Sequence, residues 1–332
     1  MTFTTLQEIG VSALAGGLVP PVPSPGLPRI AAMRARMEAV SNAQAAPAPL
    51  APKDFAPDPN FPPAAAASPA DRPRVRNATQ PDRRPAEQVM PLRRRRASNT
   101  SWNWSGAVTL PRYGERFEEV WGAWTAPMAE KRPDTALPQL CSVWVGLDGY
   151  RRNAPSMPQV GTMHGFDEKG QWVNYAWHQW WVRGKHHPPV VIARLPVAPG
   201  DSMLACLHRV DDGRAVEIHI ANETRSVLVA YRLAAPDPAE FPVAGKSAQW
   251  IVERPMKMDG TTLIALPAFR TVAFSDWAAE GDHGLGEARR VTPIRMISRA
   301  AVLGGQRRRK LAAAATRRAP RRGEGLTVES VE

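Results

Sequence analysis

Cysteine is scarce in this 332-residue chain, which has only Cys141 and Cys206. Two cysteines cannot build a disulfide framework, and these show no metal-ligand spacing. Both read as buried free thiols in strand-like runs, with a single bridge between them left open. No stretch reaches the roughly 18 apolar residues of a membrane span, so none is expected. The opening "MTFTTLQEIGVSALAGGLVPP" lacks a basic start and its apolar stretch is brief, which makes it a poor secretory signal. Also missing are G-x-S-x-G, a phosphate-cradling glycine loop and H-E-x-x-H, so serine-hydrolase, nucleotide-binding and zincin chemistries have no support. His178, His186 and His187 lie close together, but no Cys, Asp or Glu completes a ligand set, and neither metal nor cofactor is expected.

Tryptophan is absent from the first 98 residues, and all 11 fall between Trp102 and Trp277. Of the 34 prolines, 17 fall in residues 1–98. A segment rich in Pro and Ala but poor in large aromatics cannot offset its ordering entropy. Residues 1–98 therefore read as a largely disordered leader or propeptide. Within it, residues 27–45 have the composition of a short amphipathic helix.

The net charge of +12 invites a nucleic-acid reading until its location is considered. Residues 1–98 hold 13 Lys/Arg against 7 Asp/Glu, and residues 303–332 hold 8 against 3, which leaves residues 99–302 nearly neutral. The charge sits in the tails, where short runs such as Arg93–Arg96 and "RRRK" at 307–310 read as solvated segments. No nucleic-acid partner is implied. "LRRRRAS", just ahead of the first tryptophan, also reads as a protease-sensitive joint.

From Trp102 onward, short alternating runs are separated by Gly, Pro, Asp and Asn. "NWSGAVTL", "FEEVWGAWTAP", "CSVWVGLDG", "QWVNYAWHQWW", "SMLACLHRV", "AVEIHIANET", "SVLVAYRLA" and "SAQWIVERP" are examples. Ten or more such candidates with few helical periods imply an all-β chain, an antiparallel sandwich or barrel over residues 99–302. A basic disordered tail over 303–332 completes the expected organisation.

Several polar residues stand among the strand tryptophans: Asp148, Gln159, Gln179, Gln249 and Glu253. Their blocks, in order, resemble the glutamic peptidases, or eqolisins, of the peptidase A4 family. The resemblance is carried by "NWSGAV" at 103–108, "WVGLDG" at 144–149, Gln159 with Gly161, "YAWHQWW" at 175–181, "PGD" at 199–201, "ANET" at 221–224, "WIVERP" at 250–255 and "LPAFRTVAF" at 266–274. It implies a concanavalin-like β-sandwich, a polypeptide substrate or ligand, a monomer and an extracellular setting. It also implies a catalytic pair in which a Glu deprotonates water and a Gln steadies the oxyanion.

Gln159 matches the family's Gln. The family's strand resembles A-E-W-I-V-E, and its catalytic Glu aligns with Gln249. Glu253 is the alternative acid, four residues on. Trp144, Asp148, Tyr175, Trp177, Gln179 and Trp250 are the expected substrate-binding residues, Asp148 also serving to hold neighbouring strands or orient Gln159. Asn174 and Gln179 stand near positions where the family's aromatic strand carries acids, so one cleft has exchanged carboxylates for amides. A neutral amide can neither accept water's proton nor return one to a leaving amine. Two functions follow: a glutamic endopeptidase working through another acid, or a catalytically silent sandwich that binds extended polypeptide or glycan.

Overall fold

The computed structural model describes residues 2–14, 18–20, 28–45, 48–61, 99–150, 154–185, 187–257, 262–281, 291–297, 310–315 and 326–330. Its centre is a β-sandwich. The front sheet runs β15 (Val291–Ile297), β4 (Trp104–Thr109), β13 (Ala248–Glu253), β6 (Gln139–Leu147), β7 (Ser156–Phe166), β8 (Trp172–Val182), β9 (Val190–Ile192) and β2 (Phe55–Pro57). The back sheet runs β17 (Leu326–Ser330), β14 (Thr271–Gly281), β5 (Phe117–Thr125), β10 (Ser202–Val210), β11 (Ala215–Asn222), β12 (Val227–Ala234) and β1 (Val11–Ser12). Strand β16 (Lys310–Ala315) joins the two through β15 and β17. These neighbours are antiparallel, while the short β3 (Asn99–Ser101) lies parallel to β15.

Alternation along the strands sorts side chains into three apolar clusters. Between the sheets lie Val143, Val145, Leu147, Trp250 and Val252 of the front sheet, packed with Val120, Trp124 and Phe274 of the back sheet. Gly122 makes room there, since a Cβ would come within 2.6 Å of Val145 and 3.1 Å of the Trp250 ring. The outer face of the front sheet carries a second cluster that includes Trp104, Trp144, Trp177 and Ile251. Cys141 and Cys206 are both free and buried, in different clusters, so the bridge left open by the sequence does not form.

Three segments of the leader, read from the sequence as largely disordered with a short helix within residues 27–45, form regular structure. Helix α1 (Pro28–Ala43) buries Ile30, Met33, Met37 and Val40 against Trp121, Leu204 and Leu228 on the outer face of the back sheet. That i, i+3, i+7, i+10 stripe supplies about 1.5–3 kcal/mol for each fully buried side chain, enough to order a Pro/Ala-rich stretch locally. Arg36 pins the helix through Glu223 at 2.6 Å and Asp276 at 2.7 Å. Strands β1 and β2 extend the two sheets at their edges. The tail likewise contributes β16 and β17. The "LRRRRAS" joint lies outside the described residues.

Candidate functional site

Three register rows cross the outer face of the front sheet. In the first, Gln249 on β13 stands opposite Gly146 on β6, Gly146 opposite Gln159 on β7, and Gln159 opposite Gln179 on β8. The second is Ile251, Trp144, Gly161 and Trp177; the third is Glu253, Ser142, Met163 and Tyr175. Directly paired residues share a face, so all twelve positions look the same way.

Two glycines shape this surface. At 146 a Cβ would lie 3.3 Å from Gln159 Cβ and 3.1 Å from the Trp144 ring, so glycine leaves the gap between the two glutamines open. At 161 a Cβ would lie 2.1 Å from the Val143 carbonyl oxygen and 2.5 Å from Trp144 Cβ, so glycine lets Trp144 lie down on the sheet. Trp144 then meets Trp104 edge to face, with ring centroids 5.2 Å apart.

Amide orientation in the first row is set by a backbone group. The Gln179 amide donates to the His187 carbonyl at 2.5 Å, and its own oxygen accepts the Gln159 amide at 2.8 Å. Gln159 must donate there, which leaves its Oε1 buried with no hydrogen-bond partner among the described residues. Gln249, fully buried, donates to Ser247 Oγ at 2.6 Å, and its Oε1 is likewise without a partner. A hydroxyl both donates and accepts, so Ser247 satisfies Gln249 in either amide orientation. The indole N–H groups of Trp104 and Trp177 also lack partners among the described residues.

The third row behaves differently. Glu253 lies four residues from Gln249, about 13 Å along the strand, and does not face Gln159. Its Oε2 accepts the Trp144 indole N–H at 2.7 Å and its Oε1 accepts the Asn103 amide at 3.0 Å. At the far end of the row, the Tyr175 hydroxyl lies 2.7 Å from both carboxylate oxygens of Asp58. Burial pushes Asp58 up to about 6, against the lowering effect of Tyr175 and Asn60. Phe61, three residues on, is buried in the same apolar cluster as Trp104, Trp144 and Trp177.

Seven of the nine residues expected from sequence therefore share the outer face: Gln159, Gln249, Glu253, Trp144, Tyr175, Trp177 and Gln179. Two do not. Trp250 alternates with Gln249 and Ile251, so it points between the sheets, donates to the Trp121 carbonyl at 2.7 Å and packs on Trp277. Asp148 lies past the end of β6 at φ 64° and accepts the backbone N–H groups of Ala244, Gly245 and Lys246. It fixes the approach to β13 and makes no contact with Gln159, and burial raises its pKa despite those bonds. Asn174 also faces inward, where its side-chain oxygen meets His164 Nδ1 at 2.9 Å. Sequence reasoning missed Asp58 and Phe61; the signal was two phenylalanines, Phe55 and Phe61, inside a proline-rich run. Among the described residues no group of three or more His, Cys, Asp or Glu is arranged to hold a metal.

The model of the peptidase A4 family matches residues 102–304. The chain belongs to that family. Two solved structures of scytalido-glutamic peptidase, one with a peptide-based transition state analog and one with a transition state analog inhibitor, are each 17% identical to this family member. Each covers 69% of this chain and 98% of its own, with TM-scores of 0.52 and 0.53. SCP-B of the eqolisin family, in a complex with the tripeptide Ala-Ile-His, is 15% identical over 69% of this chain and 98% of its own, with a TM-score of 0.49. A search of curated protein sequences returns no match. At these identities the likeness concerns the fold, and the A4 sandwich is the fold described above.

Proposed function

We propose that this member of the peptidase A4 family holds extended polypeptide on the outer face of its front sheet without hydrolysing it. The observation that carries the reading is the first register row, where Gln249 rather than a carboxylate stands across Gly146 from Gln159. A water molecule between two amides can hydrogen-bond to both and lose its proton to neither. General acid–base assistance is worth about 10²- to 10⁴-fold in rate, and the row holds no group able to give it.

Binding needs none of that chemistry. Each peptide group offers one N–H and one C=O, and the face holds buried groups such a chain would satisfy: the oxygen of Gln159 as an acceptor, the free end of the Gln249 amide, and the indoles of Trp104 and Trp177 as donors. One scytalido-glutamic peptidase structure carries a peptide-based transition state analog and another a transition state analog inhibitor, which supports a polypeptide ligand for this family member.

The second reading is a glutamic endopeptidase in which Glu253 serves as the acid. It is favoured by the position of Glu253 on the same face as Gln159. Incubating denatured protein with wild type, Gln249→Glu and Glu253→Gln across pH 2–8 separates the two. No wild-type cleavage and a gain in Gln249→Glu are expected; strong wild-type cleavage lost in Glu253→Gln would transfer the role to Glu253.

A further inference from the structure

The Tyr175 end of the outer face is occupied by the chain itself. Strand β2 pairs antiparallel with β9, Phe55 opposite Ile192 and Pro57 opposite Val190, at the edge of the front sheet nearest β8. Beyond it the chain turns onto the face. Asn60 N–H donates to Asp58 Oδ1 at 2.9 Å and Phe61 N–H to the Asp58 carbonyl at 3.1 Å, a turn held by the aspartate. Pro57 and Pro59 flank it and fix two backbone angles in advance, which reduces the entropy lost on docking. Asp58 then meets the Tyr175 hydroxyl, Asn60 donates to the same hydroxyl at 3.1 Å, and Phe61 enters the tryptophan cluster.

These contacts are those of a peptide ligand: main-chain pairing at a sheet edge for affinity, a carboxyl anchor and an aromatic anchor for specificity. We infer that the outer face takes an extended peptide bearing a carboxylate three residues ahead of an aromatic ring, and that Asp58–Phe61 is the chain's own copy of it. The inference rests on the reading of this face as a polypeptide-binding surface. A tethered copy acts at an effective concentration in the millimolar range, so a free peptide must displace it before binding.

The test uses the full chain and a fluorescein-labelled peptide of the sequence PKDFAPDPNF, followed by anisotropy. Asp58→Ala/Phe61→Ala, which removes the two anchors of the docked segment, should bind the peptide about tenfold or more tighter than wild type. Replacing the peptide's second aspartate or its second phenylalanine by alanine should weaken binding by about tenfold each. Equal affinity of wild type and the double variant, or indifference to both peptide changes, would overturn the inference. Should the double variant not fold, Tyr175→Phe serves instead: faster hydrogen exchange at the β2 amides is expected, and unchanged exchange would overturn it. Mass spectrometry of the recovered peptide keeps the two readings apart. Cleaved peptide would defeat the non-hydrolytic reading while supporting the ligand class, and intact unbound peptide would defeat the ligand class alone.

Discussion

The amide row and the carboxylate row of the outer face lie four residues apart on the same strands, yet they treat their oxygens in opposite ways. Both Glu253 oxygens and both Asp58 oxygens have donors. In the amide row, the Gln159 and Gln249 oxygens have none among the described residues. A buried carboxylate without partners costs far more than a buried amide in the same state, and its pKa rises until it is neutral. The face therefore keeps its charge where donors wait and leaves neutral acceptors where a ligand would supply the donors. The carboxylates build the surface; the amides are what it offers.

Substitutions can break this contrast. Glu253→Met deprives the Trp144 indole and the Asn103 amide of their acceptor at once, and is expected to lower unfolding stability by about 2–4 kcal/mol in chemical denaturation. A loss under about 1 kcal/mol would place Glu253 outside the framework and return it to the list of reacting groups.

Acidity should act on the carboxylate row next. The docked Asp58 sits at about 6, above its ordinary value of 3.8, because of burial. The docked state thus binds the proton more tightly than the undocked one, so docking is strongest below about pH 4 and weakens as pH rises toward 6. At about 1.4 kcal/mol per unit the full change is roughly 3 kcal/mol. The groups facing Asp58 are the Tyr175 hydroxyl and Asn60. The protection factors of the β2 amides, exchange relative to the intrinsic rate at each pH, should be higher at pH 4.5 than at pH 7.5, and Asp58→Asn should remove the difference. The same pH dependence surviving in Asp58→Asn would assign it elsewhere.

The smallest effect belongs to the amide row. Gln249→Met preserves volume, removes the unpartnered oxygen and forfeits one bond to Ser247, so stability should change by less than about 1 kcal/mol. A larger loss would mean that the row is structural too.

Much of this arrangement was legible in the chain. Tryptophan-rich alternating runs marked the strands, and the parity of residues 249, 251 and 253 put the glutamine and the glutamate on one face. The same parity excluded Trp250, whose indole looked like a ligand contact only while its neighbours were considered without their alternation. Asp148 was recognisable as a polar group among apolar strands, but only a turn with φ of 64° sends it toward residues 244–246. The leader was the larger surprise. The helical composition of residues 27–45 was legible, but average composition hid two phenylalanines in β2 and just beyond, and long-range docking of such short segments leaves no local period to read.

Hydrolysis itself is the most direct measurement. With the docked segment released from its anchors by Asp58→Ala/Phe61→Ala, denatured protein is offered across pH 2–8 to chains carrying Gln or Glu at position 249. Turnover by the glutamate form and none by the glutamine form is expected, whereas turnover by the glutamine form would contradict the claim that the amide row cannot activate water.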